Sequence, residues 1–112
     1  MIKNIDNDEL NQYIKTSKFA LVLFYVDWCG QSIMTLDLFD DLEKEFSKNE
    51  IDFFKINSDK NFLWENEKNG KFGIKKSPTF IFFKEGKEIN RLEQFQNKKI
   101  ILDYLRNELN GE

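Results

Sequence analysis

Cys29 is the single cysteine of a 112-residue chain, and it stands in Trp28-Cys29-Gly30-Gln31-Ser32, where an apolar run ends and a helical pattern begins. A thiol at the first turn of a helix meets unpaired backbone N–H groups and the positive end of the macrodipole. Both favour the thiolate, lower the pKa and make a nucleophile. Free cysteine is most often a buried, inert residue. Flanking Trp28 and Gly30 at a strand-to-helix junction favour an exposed, reactive one instead, with Trp28 on a binding surface. A second unusual position is Pro78, the only proline, set between Ser77 and the apolar Thr79-Phe80-Ile81-Phe82-Phe83. Inside an ordinary central strand it would remove a ladder donor, so a cis bond at the strand entry is expected.

The elements that must hold these groups follow from periodicity. Asp6 to Ser17 reads as an amphipathic helix, capped by Asp6 or Asn7, with Leu10, Tyr13 and Ile14 at i, i+3 and i+4. Phe19 to Val26 is apolar without alternation, as in a strand covered on both faces. Leu36, Phe39, Leu42 and Phe46 then mark a helix of about four turns directly after the cysteine. Ile51 to Asn57 makes a second apolar strand, parallel to the first through a right-handed crossover. Asp59 is expected to cap a third helix, running through Phe62, Leu63 and Trp64 to about Lys68 and stopped by Asn69-Gly70. Thr79–Phe83 and Glu88 to about Glu93 form an antiparallel hairpin about Glu85-Gly86-Lys87. A last helix from about Asn97 carries Ile101, Leu102, Leu105 and Leu109 in one stripe. The total is one α/β domain over 1–112, a four- or five-stranded mixed sheet with helices on both faces.

Composition narrows the chemistry. The chain has no His and one Cys, which excludes the familiar zinc clusters and an internal disulfide framework, so neither metal nor cofactor is expected. With 17 Lys plus Arg against 20 Asp plus Glu, and no long single-sign block, it carries no electrostatic footprint for nucleic acid. The N-terminus lacks a signal-peptide core, and no apolar stretch reaches the roughly 18 residues of a membrane span. A cytoplasmic monomer is the expectation, in keeping with a free thiol kept reduced.

The ordered series of Phe24-Tyr25-Val26-Asp27-Trp28-Cys29-Gly30, Phe72-Gly73-Ile74 and Ser77-Pro78-Thr79 through Lys84-Glu85-Gly86 resembles the thioredoxin family. Its pattern is Trp-Cys-Gly-Pro-Cys opening a long helix, then Ile-Pro-Thr before an apolar strand and a glycine turn. The resemblance spans nearly the whole chain and implies a thioredoxin-like fold and thiol-disulfide oxidoreductase activity on protein disulfides, with thioredoxin reductase as electron donor. It implies that Cys29 attacks the partner disulfide, that Pro78 is cis and packs against Cys29, and that Trp28, Gly30, Gln31, Ser77, Pro78 and Thr79 line the peptide surface. Lys55, in Phe54-Lys55-Ile56, matches the family lysine beneath the site, where a cation would favour the thiolate. A solvated edge charge is the plainer alternative for it.

Three residues depart from the pattern. Ser32 stands at the position of the resolving cysteine, so a mixed disulfide on Cys29 has no second thiol in the motif to attack it. Leu23 occupies the position of a buried aspartate that helps that second cysteine ionise, and Gln31 replaces the motif proline, a change associated with a shifted reduction potential. Two readings of Ser32 stand side by side. One is a serine engineered in place of cysteine, which traps covalent complexes; the other is a serine native to a one-thiol protein whose intermediate needs an external thiol. A different class of function also fits these departures, a peptide-binding module that keeps the groove and has lost redox turnover. A glutathione-dependent one-thiol enzyme would call for a basic pocket, which the chain does not signal.

Overall fold

The computed structural model describes residues 2–28, 30–46, 51–93 and 97–110, the side chains of 109 and 110 aside. The strands are β1 (Lys3–Asn4), β2 (Phe19–Tyr25), β3 (Asp52–Asn57), β4 (Thr79–Lys84) and β5 (Lys87–Glu93). The helices are α1 (Asn7–Thr16), α2 (Gly30–Glu45) and α3 (Lys98–Asn110), and a single 3₁₀ turn covers Gly70–Phe72. The sheet order is β1-β3-β2-β4-β5, with β1 and β5 outermost. β2 runs parallel to β3, from Ala20 opposite Asp52 to Tyr25 opposite Asn57, and antiparallel to β4.

All seven residues of β2 are buried because the strand is central and covered on both faces. Period-two alternation sorts them. Leu21, Leu23 and Tyr25 join Phe53, Phe80 and Phe82 with Phe39 and Leu42 of α2 and Ile101 and Leu105 of α3. Ala20, Val22 and Phe24 face the other way with Phe54, Ile56, Ile81 and Phe83, under Leu10 and Ile14 of α1. Helices on both faces follow, as the apolar runs require.

α1 starts where a capping box forms. The Asp6 carboxylate accepts from Glu9 N at 2.8 Å, and the Glu9 carboxylate accepts from Asp6 N at 3.2 Å. The β4–β5 turn places both Glu85 (φ 51°) and Gly86 (φ 87°) in left-handed backbone, as a two-residue hairpin turn demands.

The helix expected from Asp59 to Lys68 does not form. Residues 58–69 make a series of turns, then the 3₁₀ turn, with one parallel bridge between Trp64 and Ile74. Side-chain amides and carbonyls compete with the helical ladder here. Asn57 Oδ1 accepts from Lys60 N at 3.0 Å, Asn61 Nδ2 donates to the Asn57 carbonyl at 2.9 Å, and Asn69 Nδ2 donates to the Asn61 carbonyl at 2.8 Å. Phe62 takes a φ of 54°, which no right-handed helix accommodates. This packing lets Leu63 and Ile74 complete the second cluster.

Gly70 is the tightest point of the segment. A Cβ there would lie 2.5 Å from the Trp64 carbonyl oxygen and 2.6 Å from that of Glu65, both backbone atoms that cannot swing away. Gly70→Ala is therefore expected to lower unfolding stability by about 1–3 kcal/mol, read as a drop in urea midpoint at unchanged slope. An unchanged midpoint would contradict that close approach.

Candidate active site

Cys29, the nucleophile assigned from the sequence, lies outside the described residues; its neighbours Trp28 and Gly30 are described. Gly30 is the first residue of α2, so the strand β2, the Asp27-Trp28 turn and the helix follow one another as the sequence predicts. Gln31 is exposed, and its carbonyl accepts from Thr35 Oγ1 at 2.6 Å. Ile33 and Met34 follow in the first turns of α2, 55% and 61% exposed.

Trp28 is 73% exposed, and its position is fixed from outside its own element. Its indole Nε1 donates to Asp59 Oδ2 at 2.5 Å, while Trp64 Nε1 donates to Asp59 Oδ1 at 2.7 Å. One carboxylate thus receives two indoles, one at the rim of the site and one on the turn segment. Asp59 was expected as a helix cap, and with no helix there its oxygens are free to take this role. Asp59→Ala is expected to cost about 1.5–3 kcal/mol, since both bonds are to a charged acceptor. In a Trp64→Phe background it should also lower the fluorescence anisotropy of Trp28. Unaltered anisotropy would show that the indole is held by something else.

Ser32 is fully buried, and its hydroxyl lies 2.8 Å from the hydroxyl of Ser77. That distance is the ordinary one for an O–H···O hydrogen bond. It ties the first turn of α2 to the loop entering β4, across 45 positions of sequence. The Ser77–Pro78 peptide bond is cis. Pro78 and Thr79 are buried, Ser77 half-buried, and Thr79 Oγ1 donates to the Lys76 carbonyl at 2.7 Å. Arg91 of β5 braces the same loop upstream, with Nη2 donating to the Phe72 carbonyl at 2.8 Å while Glu88 holds the guanidinium.

Lys55 is half-buried on β3 in register with Leu23, which is completely buried. Paired residues in a parallel ladder project to the same face, so Lys55 belongs to the α2 and α3 side of the sheet. At the end of β2, burial pushes the Tyr25 phenol up, a hydrogen bond with Asn4 opposes the shift, and Asp27 adds to it. Asp27 itself pairs with Lys60 at 3.4 Å on the surface. Among the described residues no cluster of His, Cys, Asp and Glu is arranged to hold a metal ion, and no helix is long and apolar enough to cross a membrane.

The structure thus brings Ser32 to Ser77 beside Pro78, and Trp28 to Asp59. The Trp64 and Asp59 roles were missed from the sequence because their signal lies in three-dimensional convergence of two indoles. The Ser77 hydroxyl was missed because its partner on α2 is 45 positions away in the sequence. A buried serine on the helix paired with a serine before the lone proline is the signal that would have found it.

A mixed sheet with α1 on one face and α2 and α3 on the other, an Asp27-Trp28 turn shortly before α2 and a cis-proline loop entering β4 define a protein of thioredoxin-like fold. The Thioredoxin family model matches residues 1–107, and the chain belongs to the thioredoxin family, which is of thiol-disulfide oxidoreductase type. It is 30% identical over 106 residues to a thioredoxin of Mycoplasmoides gallisepticum, covering 94% of this chain and 100% of that protein. It is 27% identical over 106 residues to a thioredoxin of Rickettsia typhi, with 94% and 96% covered. Among solved structures, a Plasmodium falciparum thioredoxin superposes with a TM-score of 0.80 at 19% identity, over 95% of this chain and 98% of that one. A thioredoxin of Malassezia sympodialis gives 0.80 at 22% identity, over 95% and 90%.

Proposed function

We propose that this chain exchanges thiol for disulfide with protein partners, with Cys29 as the nucleophile. The observation that carries the reading is the meeting of the α2 N-terminus with the Ser77-Pro78 loop through the Ser32–Ser77 hydroxyl bond, because it gathers the sequence's two unusual segments at one place. A thiol entering α2 gains from the helix's free N–H groups and dipole, which lower its pKa from roughly 8.5 and raise the thiolate fraction at neutral pH.

The thiolate attacks one sulfur of an exposed partner disulfide. A bond forms between Cys29 and that sulfur, the partner's S–S bond breaks, and its second sulfur leaves as a thiolate. The partner's chain lies extended across Trp28, Gly30, Gln31 and the Ser77-Pro78-Thr79 turn, using backbone hydrogen bonds. The exposed Ile33 and Met34 extend this surface with apolar area. Lys55 serves as a cation beneath the helix that favours the anionic form. Disulfide-bearing proteins are the substrates, and a cytoplasmic setting keeps the single thiol reduced. With cysteine at position 32, thioredoxin reductase would supply electrons; with serine there, the donor is a thiol able to attack the mixed disulfide.

Intact mass spectrometry tests this. The protein mixed with insulin should acquire the mass of one insulin molecule, held through a single disulfide, lost on reduction and mapped to Cys29. No adduct, with the fold intact, would leave a peptide-binding module without redox chemistry.

A further inference from the structure

We infer that position 32 is built for a hydroxyl, so that serine is the working residue there and the mixed disulfide on Cys29 is resolved by a low-molecular-weight thiol from outside the chain. This rests on the exchange reading above and assigns its missing co-substrate.

Ser32 has no solvent exposure, and a buried hydroxyl without a partner costs stability. A serine put in place of cysteine in a site shaped for sulfur would meet whatever that site offers a thiol, which is a weak donor and weak acceptor. Here it meets another hydroxyl at 2.8 Å. Ser77 supplies that hydroxyl at the position where the Ile-Pro-Thr pattern carries isoleucine. The two serines are fitted to each other. A sulfur at 32, larger and on a longer bond to carbon, would press into the Ser77 oxygen and return a weaker hydrogen bond.

The surroundings agree. Leu23 is fully buried and packs in the same cluster as Phe39 of α2 and Phe80 of β4. Among the described residues no Asp or Glu is buried, and residue 23 itself offers no carboxylate to take a proton from a second thiol. Three positions, 23, 32 and 77, therefore suit one-thiol chemistry together.

The chemistry then closes with an external thiol RSH. Its thiolate attacks the Cys29 sulfur of the mixed disulfide, forming Cys29–S–S–R and releasing the partner's remaining sulfur as a thiolate that takes up a proton. A second RS⁻ attacks the R sulfur, giving RSSR and the free Cys29 thiolate. The partner disulfide gains two electrons and two protons, and two RSH become RSSR.

Two experiments separate this inference from the exchange reading. In the first, the insulin adduct is formed, the released partner thiol is alkylated and the reagent removed, and decay of the adduct is followed with reduced glutathione as the probe. The adduct should persist without glutathione and decay at a rate proportional to its concentration. Decay without added thiol would overturn the external-resolver inference and leave the exchange reading standing; failure to form any adduct would overturn the exchange reading itself. In the second, unfolding equilibria are measured for Ser32→Ala, Ser77→Ala, the double variant and Ser32→Cys. Each alanine should shift the equilibrium about five- to tenfold toward unfolding, the double variant should be no worse than either single one, and Ser32→Cys should lose about tenfold, partly regained when Ser77→Ala is added. Additive alanine effects, or a Ser32→Cys variant as stable as the parent, would show that position 32 is not shaped for serine.

Discussion

Cys29→Ser is expected to abolish covalent capture of a partner disulfide and to slow disulfide reduction by at least about 10³-fold, because the attacking atom is removed and no other cysteine exists to replace it. An alcohol in its place is not ionised near neutral pH and forms no S–S bond. The turbidity assay with insulin, supplied with glutathione, reads the rate, and intact mass reads the adduct. Residual reduction within tenfold of the parent would place the chemistry elsewhere and remove Cys29 from the mechanism.

The second large effect concerns stability and its pH dependence. Leu23→Asp restores the carboxylate of the family pattern to a position with no solvent exposure, packed among Phe39, Phe80 and neighbouring apolar side chains. Burial raises such a carboxyl's folded-state pKa above its ordinary value of about 3.9. Below about pH 4 the group is protonated in both folded and unfolded chains, so only the neutral carboxyl is buried and the loss is least. As pH rises toward the folded-state pKa the unfolded chain releases its proton first, and stability falls by about 1.4 kcal/mol per pH unit. At pH 7 the expected loss is about 3–5 kcal/mol, reduced where Lys55, the register partner of residue 23, can approach the carboxylate. Urea titrations at pH 4.5 and pH 7.5 check it. An equal loss at both pH values would mean that the aspartate is solvated and that position 23 is not closed to water.

Much of this molecule can be read from its residues, for reasons that differ from element to element. β2 and β4 are legible because doubly covered strands must be apolar throughout, and Phe19 to Tyr25 and Thr79 to Phe83 are. α1 is legible because Asp6 and Glu9 write a capping box into four residues. β1 is not, since two residues pairing with Phe54 and Lys55 carry no periodicity of their own. The segment after β3 misleads, because Phe62, Leu63 and Trp64 suggest a helical face while the decisive bonds come from Asn57, Asn61 and Asn69. At the site, motif order picks out Trp28, Cys29 and Pro78. The Ser32–Ser77 bond and the sharing of Asp59 by two indoles depend on contacts 45 and 31 residues apart, which local pattern cannot carry.

The two borders of the sheet decide how a partner can approach. On one side the border is a strand of only two residues, Lys3 and Asn4; on the other it is Lys87–Glu93, lined with Lys87, Glu88, Arg91 and Glu93 and irregular where β4 shifts register between Phe82 and Phe83. Short length, charge and a bulge are the devices that keep a sheet from recruiting a further strand. Both margins are therefore poor templates for an extended polypeptide. In the proposed function, backbone pairing with a guest is then left to the loop end, at the Ser77-Pro78 turn, and a partner's disulfide would be presented end-on.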